Sequence, residues 1–184
     1  MESKLLDKVT GAFELDLPSD LQTMPQFIEF IVPKVQPWSE DLREEKFYVG
    51  KRWVEIQDRD AWDKSFIHIF MDGGEYLFSD NGILTRKTWR YLAESNTMIL
   101  ETGKDTILYD LIFLNGDMMI LQQNGTSRYL VLGEEEFTKK NIKQDWRMAM
   151  EALYNIYREN SKFSVWAFAL VIGIALFIYI AFFM

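Results

Sequence analysis

The 184-residue chain has no cysteine and a single histidine, His68. A zinc site normally draws on several Cys or His ligands, so the material for one is missing, and no metal or other cofactor is expected. The lack of cysteine agrees with a reducing compartment and decides little else. A Ser-His-Asp arrangement would have to use His68, which sits between Ile67 and Ile69 in an apolar run, and no G-x-S-x-G accompanies it. No Walker A or G-x-G-x-x-G motif occurs, and Asp72-Gly73-Gly74-Glu75 reads as a hairpin turn, not a phosphate loop. The paired acids Glu44-Glu45 and Glu134-Glu135-Glu136 read as solvated surface. A non-enzymatic protein is expected.

Positive charge is also in short supply. The chain carries 20 Lys and Arg against 28 Asp and Glu, a net charge of −8. That balance opposes attraction to phosphate backbones, so no nucleic-acid partner is expected. One local exception runs from Lys139 to Lys162, where six basic residues meet three acids. It reads either as a basic collar for an anionic leaflet or as an ordinary solvated helix face.

Charge is absent altogether from Phe163 to Met184, FSVWAFALVIGIALFIYIAFFM. About 20 apolar residues make a helix that crosses a hydrocarbon core, so residues 163–184 are expected to form a transmembrane helix. The N-terminus has no apolar signal region, and Arg147, Arg158 and Lys162 precede the span with no basic residue after it. A tail-anchored, single-pass protein with its soluble part in the cytosol follows from that asymmetry. Ala169 and Gly173 form a small-xxx-small pair of the kind that lets membrane helices approach closely.

Proline is confined to residues 1–46, at Pro18, Pro25, Pro33 and Pro37, which makes long regular elements improbable there. Phe13, Leu15 and Leu17 alternate with acids in a short strand-like pattern. Thr23 to Gln26 reads as a capping box opening a short amphipathic helix, with Met24, Phe27, Ile28 and Ile31 on one face and an end before Pro33. That face either packs on the rest of the chain or docks a partner.

Residues 47–133 change character. Turn signals at Asp72-Gly73-Gly74, Asn81-Gly82, Asn115-Gly116 and Asn124-Gly125 supply the positive φ of tight hairpins, and looser turns fall at 94–96 and 102–105. Between them lie eight candidate strands, near 50–57, 65–71, 75–79, 83–91, 97–101, 106–114, 118–122 and 127–132. The fold class expected is mainly β with helices: an antiparallel up-and-down meander, closed as a small barrel or open as sheets. Ile107, Tyr109, Leu111 and Phe113 share one face by a period of two, as do Phe66, His68 and Phe70. Both faces of these strands are apolar, so a cover for the outside is expected from the N-terminal segment and the C-terminal helix.

Residues 134–162 carry an apolar stripe at helical spacing (Ile142, Trp146, Ala149, Met150, Leu153, Ile156, Tyr157) and no Pro or Gly. An amphipathic stalk helix running unbroken into the anchor is expected, lying on the barrel or joining a bundle with other subunits.

The meander opening at Gly50-Lys51-Arg52-Trp53, its repeated Gly hairpins and Trp89 in TRKTWRY resemble the lipocalin-like, calycin-type small barrels. The spacing here is Gly-x-x-Trp where those families often carry Gly-x-Trp. Some bacterial lipocalin-like domains are similar in a Phe-x-x-x-Gly run followed by a Trp strand, here Phe70 to Gly74 and then Trp89. The resemblance covers about 85 residues and implies a cavity for an apolar ligand.

Two functions follow. The first is an accessory or scaffolding subunit of a membrane complex, or a homo-oligomer, with Trp146, Met150, Leu153 and Tyr157 on the stalk and Ala169 and Gly173 in the span as contact residues. The second is a lipid or hydrophobic-ligand carrier whose barrel interior is lined by Phe66, Phe70, Tyr109, Leu111 and Phe113.

Overall fold

The computed structural model describes residues 21–58, 64–103, 105–143, 145–160 and 174. The strand-like pattern at 13–17, the pair Ala169 and Gly173, and all of the apolar stretch 163–184 except Ile174 lie outside the described residues. Among the described residues no helix is long and apolar enough to cross a membrane.

The eight expected strands form, in sequence order, β1 Trp53–Glu55, β2 Phe66–Phe70, β3 Glu75–Asp80, β4 Ile83–Leu92, β5 Thr97–Thr102, β6 Asp105–Leu114, β7 Met118–Gln123 and β8 Tyr129–Glu134. Each pairs antiparallel with its neighbour, and β8 pairs with β1 through Val54 opposite Gly133, so the sheet closes into a barrel and leaves no free edge. At the β3–β4 hairpin Asn81 and Gly82 take φ of 47° and 88°, the left-handed pair that a two-residue turn needs to match strand twist. The β6–β7 turn works differently from expectation. Gly116 is not left-handed; instead Asn115 Oδ1 accepts from the N–H groups of Asp117 at 2.9 Å and Met118 at 2.7 Å, a side chain standing in for backbone turn geometry.

Helix α1, Met24–Val35, opens as its sequence signals: the Thr23 N–H donates to Gln26 Oε1 at 3.1 Å and Pro25 occupies the first turn. It does not stop before Pro33. It runs through that residue to Val35, because Ile31, Val32 and Val35 are buried on the barrel. Packing of those three side chains outweighs a proline cost of about 3 kcal/mol.

The expected unbroken stalk is interrupted. A helical turn α2, Glu135–Phe137, continues as a π-helical turn over Thr138–Ile142 and ends at Lys143, which is left-handed at φ 48°. The Lys143 N–H bonds back to Thr138 O at 3.2 Å, closing the turn. A new helix, α3, runs over 146–160, capped by Asp145 Oδ1 accepting from the Arg147 N–H at 2.9 Å. The break redirects the chain so that both Ile142 and Trp146 face the barrel. Arg52 on the approach to β1 pairs with Glu135 at 2.5 Å and ties α2 to the wall.

Two cores result. One fills the barrel. The other lies outside it, where α1 and α3 cover the outward side chains of Ile56, Phe113, Met118, Ile120 and Val131. The stalk stripe, Ile142, Trp146, Ala149, Met150 and Leu153, is buried in this second core against Ile28, Ile31 and Val35 of α1. The helices run side by side in the same direction, with Phe27 edge-on to Trp146 at 5.5 Å near one end and Trp38 against Tyr157 at 6.4 Å near the other.

Candidate functional site

Residues paired across neighbouring strands share a face, and the register assigns the interior. Trp53 and Glu55 point inward with His68 and Phe70 of β2, Tyr76 and Phe78 of β3, Lys87, Trp89 and Tyr91 of β4, and Met98, Leu100, Tyr109 and Leu111 of β5 and β6. Up-and-down order puts the β1–β2, β3–β4, β5–β6 and β7–β8 connections at one end and the remaining turns at the other. The two ends are built differently.

The end holding the β2–β3, β4–β5 and β6–β7 turns is closed. Segment 39–50 crosses it, held by the Glu40 N–H to Leu114 O at 2.8 Å, the Leu42 N–H to Asn96 Oδ1 at 2.9 Å and the Gly50 N–H to Phe70 O at 2.7 Å. Leu42 and Tyr48 drop into the interior and are fully buried with Trp53, Phe70 and Leu114. Tyr48 donates its O–H to Leu42 O at 2.8 Å and stands edge-on to Phe70 and Trp89, while the Trp53 Nε1–H donates to Tyr48 O at 3.0 Å. Every polar tip in this aromatic plug has a partner.

Toward the other end burial relaxes. Phe66, Phe78, Tyr109, Leu111 and Leu130 are inward-facing yet only half-buried, and the rim ends in Ile83, 73 % exposed beside the β3–β4 turn. Phe66 and Phe78 stack with centroids 5.8 Å apart, and Lys87 Nζ lies 4.5 Å from the Phe78 ring centre. The inward side chains at this end are largely aromatic and half-buried.

Deeper in the interior sits His68, the sequence's single histidine. His68 is 4 % exposed; its Nδ1 lies 2.6 Å from Tyr76 Oη and its Nε2 lies 3.2 Å from Glu55 Oε2. One arrangement of protons satisfies the chain: Tyr76 O–H donates to Nδ1, and Nε2–H donates to Glu55. Burial first, and then the neighbouring Tyr109 phenol and the Glu55 carboxylate, push the Tyr76 phenol far above its ordinary range, so it remains a donor. Burial and Glu55 push Tyr109 upward too, while Arg128 opposes the shift. The arrangement offers stacking surface and hydrogen-bonding groups, with the Lys87 ammonium over the Phe78 ring. Both ring nitrogens of His68 are engaged, one with Tyr76 and one with Glu55. Among the described residues no cluster of three His, Cys, Asp or Glu is placed to hold a metal ion.

The interior residues named from sequence divide three ways. Phe66, Tyr109 and Leu111 stand half-buried toward the end away from the plug, whereas Phe70 belongs to the closed plug. Phe113 is not in the interior. A bulge between Leu111 and Phe113 shifts the register by one residue, which turns Phe113 outward beneath the helices and Leu114 inward. Of the stalk residues, Trp146, Met150 and Leu153 are core side chains under α1, and Tyr157 is half-buried against Trp38, Tyr154 and Lys34. Sequence reasoning passed over Glu55, Tyr76, Lys87 and Arg128. The available signal was the period of two that puts Glu55 and Lys87 on the same face as Trp53 and Trp89.

No protein-family model, no curated protein and no solved structure matches the chain.

Proposed function

We propose that this chain is a membrane-tethered, non-enzymatic barrel that binds a small, mainly apolar ligand through its open mouth, in the manner of lipocalin-like barrels. The carrying observation is the gradient inside the barrel: a sealed aromatic plug at one end and half-buried Phe66, Phe78, Tyr109 and Leu111 at the other. An eight-stranded barrel is just wide enough to be filled by side chains or to hold one small ligand, and here the two halves divide those roles. Stacking on Phe66 and Phe78 supplies the apolar contact, and the Glu55–His68–Tyr76 chain supplies a fixed polar floor to orient one hydrogen-bonding group.

The tether is the apolar stretch 163–184. Tyr157 packs on Trp38 beside the plugged end, so α3 delivers the chain toward that end. A span following it puts the mouth on the side away from the bilayer, which favours a ligand taken from water over one drawn directly from the membrane.

A neutral naphthylamine dye titrated into the full chain in mild detergent tests the reading. Saturable fluorescence enhancement is expected, lost in Leu111→Trp, which fills the mouth, and retained in Phe113→Leu, which does not face it. Equal enhancement in both variants, or none in the parent chain, overturns it.

A second reading, the accessory subunit, draws its support from a groove beside residue 160.

A further inference from the structure

α3 and the β6–β7 turn leave between them an open groove of about 400 Å³. Met118, Phe137, Met148 and Ile156 supply its apolar lining, with Asn115, Asn141 and Asn155 among them. Its rim is acidic: Asp117 on the turn and Glu151 and Glu159 on α3, all exposed. No Lys or Arg contributes to the described lining, although the same stretch of chain is basic elsewhere. From Met148 to Glu159 the groove follows about 16 Å of helix, three turns at the standard rise.

We infer that this groove receives an amphipathic, basic helix of about three turns from a partner membrane protein, specifically a segment just inside the membrane. Charge and position select that occupant. An apolar strip interspersed with amides and flanked by carboxylates takes a helix whose apolar residues recur every three or four positions and whose flanks carry Lys or Arg. Three carboxylates repel anionic headgroups, so a lipid surface is the wrong partner. Glu159 lies four residues before the apolar stretch begins at Phe163. With that stretch in a bilayer the groove sits at its surface, where the cytoplasmic flanks of other spans concentrate Lys and Arg. The location thus rests on the tether proposed above; the charge match does not.

The test uses the full chain in zwitterionic nanodiscs and two labelled synthetic peptides, one with Leu and Lys at helical spacing and one with Glu in place of Lys. Fluorescence anisotropy is expected to show binding of the Lys peptide alone, weakening as salt rises. The double variant Glu151→Lys with Glu159→Lys changes only exposed positions and is expected to weaken that binding about tenfold or more. An unchanged melting temperature shows that the variant is folded. Met148→Lys, which charges the apolar lining, is expected to act in the same direction. Equal binding of both peptides, or undiminished binding by the double variant, overturns the inference. Flotation of the chain with liposomes is recorded separately, so failure of the tether and failure of the groove are told apart.

Discussion

Tyr76 Oη lies 2.6 Å from His68 Nδ1 inside the barrel, and both side chains are almost wholly buried. The hydrogen bond therefore works where neither partner has water to fall back on. Tyr76→Phe keeps the ring and its stack on Phe70 at 5.3 Å but leaves Nδ1 unpaired. The expected loss is about 1–3 kcal/mol of unfolding free energy, the cost of an orphaned buried polar group. Urea denaturation checks it; a variant as stable as the parent shows that the contact contributes nothing.

Phe113 belongs to the outer core, fully buried among the helix residues. Phe113→Ala is expected to cost about 3–5 kcal/mol, a large aromatic-to-alanine loss, while dye binding at the mouth keeps its affinity in whatever fraction remains folded. A residue lining the mouth would show the opposite pattern.

Gly133 on β8 is where α2 folds back on the wall. A Cβ built there would meet Thr138 Oγ1 at 2.3 Å and Ile56 Cδ1 at 3.3 Å. Gly133→Ala is expected to destabilise by about 1–3 kcal/mol through overpacking, read as a lower melting temperature. Thr138→Val is expected to be neutral or stabilising, because the Thr138 hydroxyl is buried with no partner among the described residues.

Alkaline pH should unfold the chain early. Burial raises the phenols of Tyr48, Tyr76 and Tyr109 above their ordinary value. An unfolded tyrosine ionises near pH 10, so above about that pH the unfolded chain has released protons that the folded one retains. Stability is thus fully present below about pH 10 and falls as pH rises beyond it, by about 1.4 kcal/mol per pH unit for each such phenol. Ultraviolet titration should show these phenolates appearing together with loss of circular dichroism, not before it.

The strand framework was legible because each break carries local chemistry: Asn81-Gly82 and Asn124-Gly125 mark hairpins that the structure forms. The cover over the outer face was legible in the apolar second face of the strands. Closure of the barrel was one of two arrangements the pattern allowed, since it depends on β1 reaching β8 across 80 residues of sequence. Three features were hidden for physical reasons. The bulge at Leu111–Phe113 inserts a residue without any Gly or Pro to announce it. The passage of α1 through Pro33 and the break at Lys143 are decided by what Val35, Ile142 and Trp146 pack against, and local propensity carries no record of that. The polar floor needed His68, Tyr76 and Glu55 from three strands, of which only His68 drew attention by its rarity.

The central claim is that the open half of the barrel holds a ligand. Native mass spectrometry of the full chain, purified in mild detergent from the cells that make it, addresses it most directly. The account predicts a single discrete small mass on the protein, absent from Leu111→Trp and present on Phe113→Leu. A parent chain that carries no such mass, or a mass retained undiminished by Leu111→Trp, contradicts it.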